Sequence, residues 1–143
     1  MNKTIYKFGY PDTLIKEYEN WVVLIRPKQV TIGSLVLVCK ENVENFSTIS
    51  QKSFSELKVV ITGIESTLKE VFKIDKINYL ALMMVDKHVH FHVIPRYINS
   101  LSFKDKEYQD KDWPSAPDIQ HTLNLSNIEL QGIKRILKNN WSN

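Results

Sequence analysis

A chain of 143 residues fits one domain around one core, and its 43% hydrophobic and 24% charged content is that of an ordinary folded protein. No run approaches the roughly 18 apolar residues that a membrane span needs. The net charge of +3 comes from 19 Lys plus Arg against 16 Asp plus Glu. Spread along the chain, it argues against a clustered nucleic-acid-binding face and is compatible with a small anionic substrate.

The opening residues, Met1 to Tyr6, lack the apolar region of a signal peptide, so a cytoplasmic protein is expected. The first forty residues read as strands. Leu14 to Tyr18 and Trp21 to Ile25 flank Glu19-Asn20, a two-residue hairpin turn, and a third strand runs from Leu35 to Cys39 after the breaker Gly33. Cys39, the only cysteine, excludes an intrachain disulfide, and its apolar neighbours make it a buried small hydrophobe.

Between residues 53 and 72 the period changes. Phe54, Leu57, Val60, Ile61, Ile64, Leu68 and Val71 recur at helical spacing, with Ser53 and Glu56 as an initiating capping box. Two strands follow, Ile77 to Met84 and His88 to Ile94, joined by the short turn Val85-Asp86-Lys87 and therefore antiparallel neighbours. Asn99 to Thr122 is a polar surface excursion containing Trp113-Pro114. Ser126 and Glu129 form a second capping box, opening a helix with Ile128, Ile133, Ile136, Leu137 and Trp141 on its apolar side. Strands and helices in this order define an α+β domain with an antiparallel sheet.

Three of the four histidines fall in His88-Val89-His90-Phe91-His92. Strand alternation puts the imidazoles on one face, about 6.5–7 Å apart along the strand, and Val89, Phe91 and Val93 on the core face. Mutual repulsion should keep at least one ring neutral near pH 7, and a neutral imidazole is a competent nucleophile toward phosphorus. Two other readings stand beside this one. A polar, solvated sheet face is the first, and a zinc site completed by His121 or Asp86 is the second.

The run His88 to Arg96, with its Pro95-Arg96 ending, resembles the signature of the histidine triad (HIT) family. Arg26-Pro27-Lys28-Gln29 and Gly33-Ser34-Leu35-Val36-Leu37-Val38 resemble that family's nucleotide-side strand and turn, so the resemblance covers roughly residues 12 to 98. It implies a HIT-like fold: a five-stranded antiparallel sheet, a long central helix and a C-terminal helix, in one domain spanning 1–143.

The implied activity is hydrolysis or transfer at the α-phosphate of a nucleoside phosphate conjugate, such as diadenosine tetraphosphate or a phosphoramidate. His90 would be the nucleophile, His92 the phosphate-oxygen ligand and His88 the orienting partner. Ser34 stands where many members carry a fourth histidine, and a three-residue turn stands where many have a longer glycine-containing loop. Ser34, Asn78, Lys87, Arg96 and Trp113 are the candidate substrate-binding residues. No resident cofactor or metal is implied, with Mg²⁺ only as companion of a polyphosphate. A homodimer is expected, with neither membrane nor nucleic acid as partner. A nucleotide-binding protein without strong catalysis, or a histidine-ligated zinc protein, are the alternatives.

Overall fold

The computed structural model describes residues 1–142. The α-helices and strands in chain order, with one 3₁₀ turn at Phe46–Thr48 between β3 and α2, are α1 (Lys3–Lys7), β1 (Leu14–Glu17), β2 (Trp21–Ile25), β3 (Leu35–Cys39), α2 (Gln51–Phe72), β4 (Lys76–Leu80), β5 (His90–Arg96), β6 (Leu101–Phe103), β7 (Lys106–Tyr108) and α3 (Asn127–Asn139). β1 to β5 form one antiparallel sheet in the order β1-β2-β3-β5-β4. This is the expected α+β architecture. Among the described residues no helix is long and apolar enough to cross a membrane.

The sheet buries both faces, and strand register sorts the side chains between them. Trp21, Val23, Ile25, Leu35, Leu37, Cys39 and Val93 pack against α2 and α3 through Val60, Ile64, Leu68, Ile133 and Leu137. Val22, Leu24, Val36 and Val38 face the other way, toward Ile5 and Phe8 of the N-terminal segment. Burial on both faces explains why β2 and β3 read as continuous apolar runs rather than alternating ones. Cys39 is fully buried, and burial pushes its thiol pKa up, as an inert core residue requires.

Several boundaries differ from the sequence expectation, each for a local reason. α1 was not legible among the strands of the first forty residues. Five residues carry no periodicity, and the helix stands because Asn2 caps it from Ile5 N and donates to the carbonyls of Cys39 and Glu41. α2 begins at Gln51, three residues before Phe54, because Ser50 rather than Ser53 is its cap, accepting from Ser53 N. Glu56 therefore closes no capping box; its carboxylate accepts from Asn20 N at 2.7 Å. Phe54 at the helix start is exposed.

α3 keeps the full Ser126/Glu129 capping box, but Ile128 in its first turn is exposed rather than core. The polar excursion contains the β6-β7 hairpin, which pins Leu101 and Tyr108 into the core. Its turn, Lys104-Asp105, takes positive φ at both positions without the glycine or asparagine that usually advertises such a turn.

The largest correction concerns the stretch before the histidines. β4 ends at Leu80 instead of Met84, β5 starts at His90 instead of His88, and residues 81–89 form a loop three times as long as Val85–Lys87. Val89 is drawn away from β4 by pairing elsewhere: its N–H donates to the Val43 carbonyl, and its own carbonyl accepts from Cys39 N, both at 3.0 Å.

Candidate functional site

Two sheet rows build the site. Leu24, Val36, His92 and Leu80 lie side by side across β2, β3, β5 and β4, and Val22, Val38 and His90 form the next row. His90 and His92 thus project from one face, their ring centroids 5.2 Å apart, while Val89, Phe91 and Val93 pack into the opposite core. Phe8, just after α1, closes over the pair with its ring 5.6 Å from His90 and 5.7 Å from His92. His90 is only 2% exposed and His92 7%.

Hydrogen bonds assign the proton on each ring. His90 Nδ1 lies 2.7 Å from the carbonyl oxygen of His88. A carbonyl only accepts, so Nδ1 carries the proton and Nε2 keeps its lone pair. His92 is reversed. Arg26 Nε donates to His92 Nδ1 at 3.3 Å, so the proton of the neutral ring lies on Nε2. One imidazole offers a lone pair and its neighbour an N–H.

His88 lies outside the strand. Its Nε2 lies 2.7 Å from Asn42 Oδ1 and its Nδ1 2.9 Å from the Thr4 hydroxyl. The group that orients His90 is therefore the main-chain carbonyl of residue 88, not the His88 imidazole. The His88 ring instead latches α1 to the segment after β3.

The neutral ring anticipated from repulsion is His92, and its cause is different. Burial pushes its pKa down to about 4, helped by the Arg26 charge and then by His90, with Asp86 opposing. Above about pH 6.5 the ring is neutral whether the protein is folded or not. As pH falls from about 6.5 to 4, the unfolded chain takes up a proton that the folded chain refuses. Stability should decline across that window by on the order of 2 kcal/mol and then level off. Urea unfolding at successive pH values checks this, and the His92→Gln protein should lack that part of the slope.

The remaining sequence candidates divide into three groups. Lys87 is exposed and shares with His88, Thr4, Asn42, Lys3 and Lys7 a groove of about 810 Å³. Asn78 and Arg96 border a smaller cavity of about 380 Å³ beside Leu80, walled by Pro114 to Pro117. Arg96 is not a free phosphate ligand: the residue is buried, and its guanidinium forms a two-pronged pair with Asp110 while also donating to Asn78 Oδ1 and the Ser115 carbonyl. Asn78 is thus Arg96's partner on β4. Trp113 is half-buried at the start of the cavity wall but does not line it.

Ser34 is fully buried and belongs to a turn. Its hydroxyl donates to the Thr31 carbonyl at 2.7 Å and accepts from Thr31 N at 3.1 Å. Gln29 Oε1 completes that turn by accepting from Gly33 N and Ser34 N. Gly33 has φ +93°, and a Cβ there would come within 3.1 Å of Leu68 and 3.2 Å of Phe72, so glycine alone fits. Ser34→Ala should cost about 1–2 kcal/mol by orphaning Thr31 N, lowering the melting temperature with turnover retained. Turnover lost at unchanged stability would return Ser34 to the site.

Several of the groups named for a zinc site have other partners. Asp86 pairs with Lys7 at 2.6 Å, His92 Nδ1 accepts from Arg26, and both ring nitrogens of His88 are engaged. Among the described residues no three His, Cys, Asp or Glu side chains are grouped to hold a metal ion. The residues that sequence reasoning left without a role are Arg26, Phe8, Thr4, Asn42 and Asp110. Only Arg26 carried a signal, as the first residue of the Arg26-Pro27-Lys28-Gln29 run that resembles the family's nucleotide-side turn and as a charge directly after an apolar strand.

An antiparallel sheet presenting His90 and His92 from one strand, with His88 two residues before it, is the arrangement of a histidine triad protein. The HIT domain family model matches residues 9–99, and the chain belongs to that family. Similar solved structures include a histidine triad protein from Sinorhizobium meliloti 1021 (TM-score 0.75, 16% identity, covering 98% of this chain and 95% of that one). Another is a histidine triad protein from Marinobacter aquaeolei VT8 (TM-score 0.75, 17% identity, 99% and 94%). A third is a hypothetical histidine triad nucleotide-binding protein from Sulfolobus tokodaii strain7 (TM-score 0.68, 18% identity, 96% and 88%). At these identities the likeness concerns the fold. No curated protein sequence gives a significant match.

Proposed function

We propose that this protein hydrolyses, or transfers from, the α-phosphate of a nucleoside phosphate conjugate, through a covalent nucleotidyl intermediate on His90. A dinucleoside polyphosphate such as diadenosine tetraphosphate, or a nucleoside phosphoramidate, is the substrate class. The observation that carries this reading is the opposite protonation of the two facing rings. His90 Nε2 uses its lone pair to form the bond to phosphorus, and the bond from phosphorus to the leaving group breaks with its electron pair going to that group, which departs as a phosphate anion or, from a phosphoramidate, as the amine after taking a proton from solvent. His92 Nε2–H donates to a phosphate oxygen, where negative charge builds. Water then attacks phosphorus, the phosphorus–Nε2 bond breaks, and a nucleoside monophosphate departs with the water's second proton released to solvent. Positioning and electrostatics supply most of the acceleration in such chemistry. The groove at His88 is bordered by Lys3, Lys7, Lys40 and Lys87 but by neither His90 nor His92, so its charge favours an anionic group at that groove and says nothing of the reacting pair.

One observation favours a second reading, a nucleotide-binding protein without turnover: Phe8 lies over both rings. Incubation with diadenosine tetraphosphate and a phosphoramidate, with and without a chelator, separates the two. AMP release that survives chelation, together with an acid-quenched protein one nucleotidyl group heavier, is the expected result. Nucleotide binding with neither product nor adduct would sink the hydrolase. β4 is an outer strand of the sheet, and we infer that a second copy pairs along it. Light scattering should then give about twice the 16.7 kDa chain mass.

A further inference from the structure

We propose that Arg26 is a positioning residue for the triad, holding His92 in the tautomer whose Nε2–H faces the reacting phosphate. What it positions His92 for rests on the nucleotidyl-transfer reading; the contact and its consequence for the ring do not.

Arg26 follows β2 directly and continues its histidine-side alternation after Val22 and Leu24. Its guanidinium is held at three points. Nε donates to His92 Nδ1, one terminal nitrogen to the Lys28 carbonyl, and the other to the Ile119 carbonyl at 3.1 Å. A guanidinium has donors only, so the ring nitrogen facing it must be the acceptor. A neutral imidazole has one proton, which is thereby forced onto Nε2. The opposite arrangement would point an N–H at an N–H. Three fixed points on a rigid planar fork also leave little freedom for the ring to flip.

The other groups facing His92 do not do this. His90, on the same strand, meets it edge to face with its own Nδ1–H directed to the backbone. Phe8, beyond α1, contributes an apolar ring. Asp86, from the loop before β5, is an anion paired with Lys7, and its charge favours protonation of His92 rather than either tautomer. Val36 and Leu80, on the flanking strands, are apolar. Among the described residues, Arg26 is the neighbour that selects a tautomer. It also adds a fixed positive charge beside the pair, which disfavours the imidazolium and would attract a phosphate. Its bond to the Ile119 carbonyl, 93 residues away, joins the excursion after β7 to the same arrangement.

The test is nitrogen-15 NMR of the histidine rings in the full-length protein without substrate. The expected wild-type spectrum shows His92 protonated at Nε2 and His90 at Nδ1. In Arg26→Met, His92 should become a mixture of tautomers with its titration midpoint raised by about one pH unit, while His90 keeps its pattern. On diadenosine tetraphosphate, Arg26→Met should lower kcat at least about tenfold, with a smaller change in KM. A wild-type His92 protonated at Nδ1 would overturn the proposal even if the variant did not fold. So would an unchanged His92 spectrum in Arg26→Met, including one accompanied by lost turnover, since the residue would then act on substrate or on the Ile119 segment. The expected spectra in a protein without hydrolytic activity would leave Arg26 in its place and remove the nucleotidyl-transfer reading instead.

Discussion

His90→Ala should retain the fold and lose release of nucleoside monophosphate by at least about 10³-fold, with no covalent adduct after acid quench. The size follows from the geometry. Nδ1 of His90 is bound to the His88 carbonyl and Nδ1 of His92 accepts from Arg26, so of the two facing rings His90 Nε2 presents the free lone pair. His92→Ala should cost less, about 10²-fold, because it removes one donor to developing charge rather than the bond-forming atom. His88→Ala should cost less still, since residue 88 orients His90 through its carbonyl, which alanine also has. Its loss should be felt at the Thr4 and Asn42 contacts, as a looser N-terminal segment visible in amide hydrogen exchange. The three variants therefore form a graded series. AMP released by His90→Ala at the wild-type rate would eliminate the covalent route outright.

Arg96→Ala is expected to destabilise the protein by about 3–5 kcal/mol without acting on the chemistry directly. The side chains of Arg96 and Asp110 are 4% and 2% exposed, and the pair meets at 2.6 and 3.1 Å. Removing the cation leaves a desolvated carboxylate whose remaining partners are the main-chain N–H groups of Tyr97 and Asp112, each at 3.4 Å. It also frees Asn78 Oδ1 and the Ser115 carbonyl, so the wall beside Leu80 loses its anchor. Asp110→Ala should be comparably harmful, for it buries an unpaired guanidinium. The double variant should cost well under the sum, because the second deletion removes the charge that the first one orphaned. Urea denaturation of the four proteins measures this cycle. Additive losses, or an Arg96→Ala protein of wild-type stability with a raised KM, would mean that Arg96 serves substrate rather than structure.

What could be read from the chain by itself was whatever depends on periodicity and short-range chemistry. Strand alternation set His90 and His92 on one face and Val89, Phe91 and Val93 on the other. The 3.6-residue recurrence from Val60 to Leu68 marked α2, and Ser126 with Glu129 marked the start of α3. These features need only a few neighbouring residues, and the structure retains them. The boundaries that shifted depend on distant partners. Ser50 outcompeted Ser53 as a cap where Ser53 is drawn into contact with Glu41, and β5 began at His90 where Val89 is paired with residues 39 and 43.

The triad that the sequence announced thus came without its surroundings. The alternation of histidines says which face they share, but not which nitrogen on each carries the proton. That is decided by a carbonyl two residues back for His90 and by a guanidinium 66 residues away for His92. Arg96, legible only as a cation after a proline, became a buried structural ion because Asp110 folds back onto it. Ser34, placed by resemblance at the site, became the closing bond of a turn. Side-chain alternation is a property of the strand, whereas proton placement and charge pairing belong to contacts that exist only once the chain has folded.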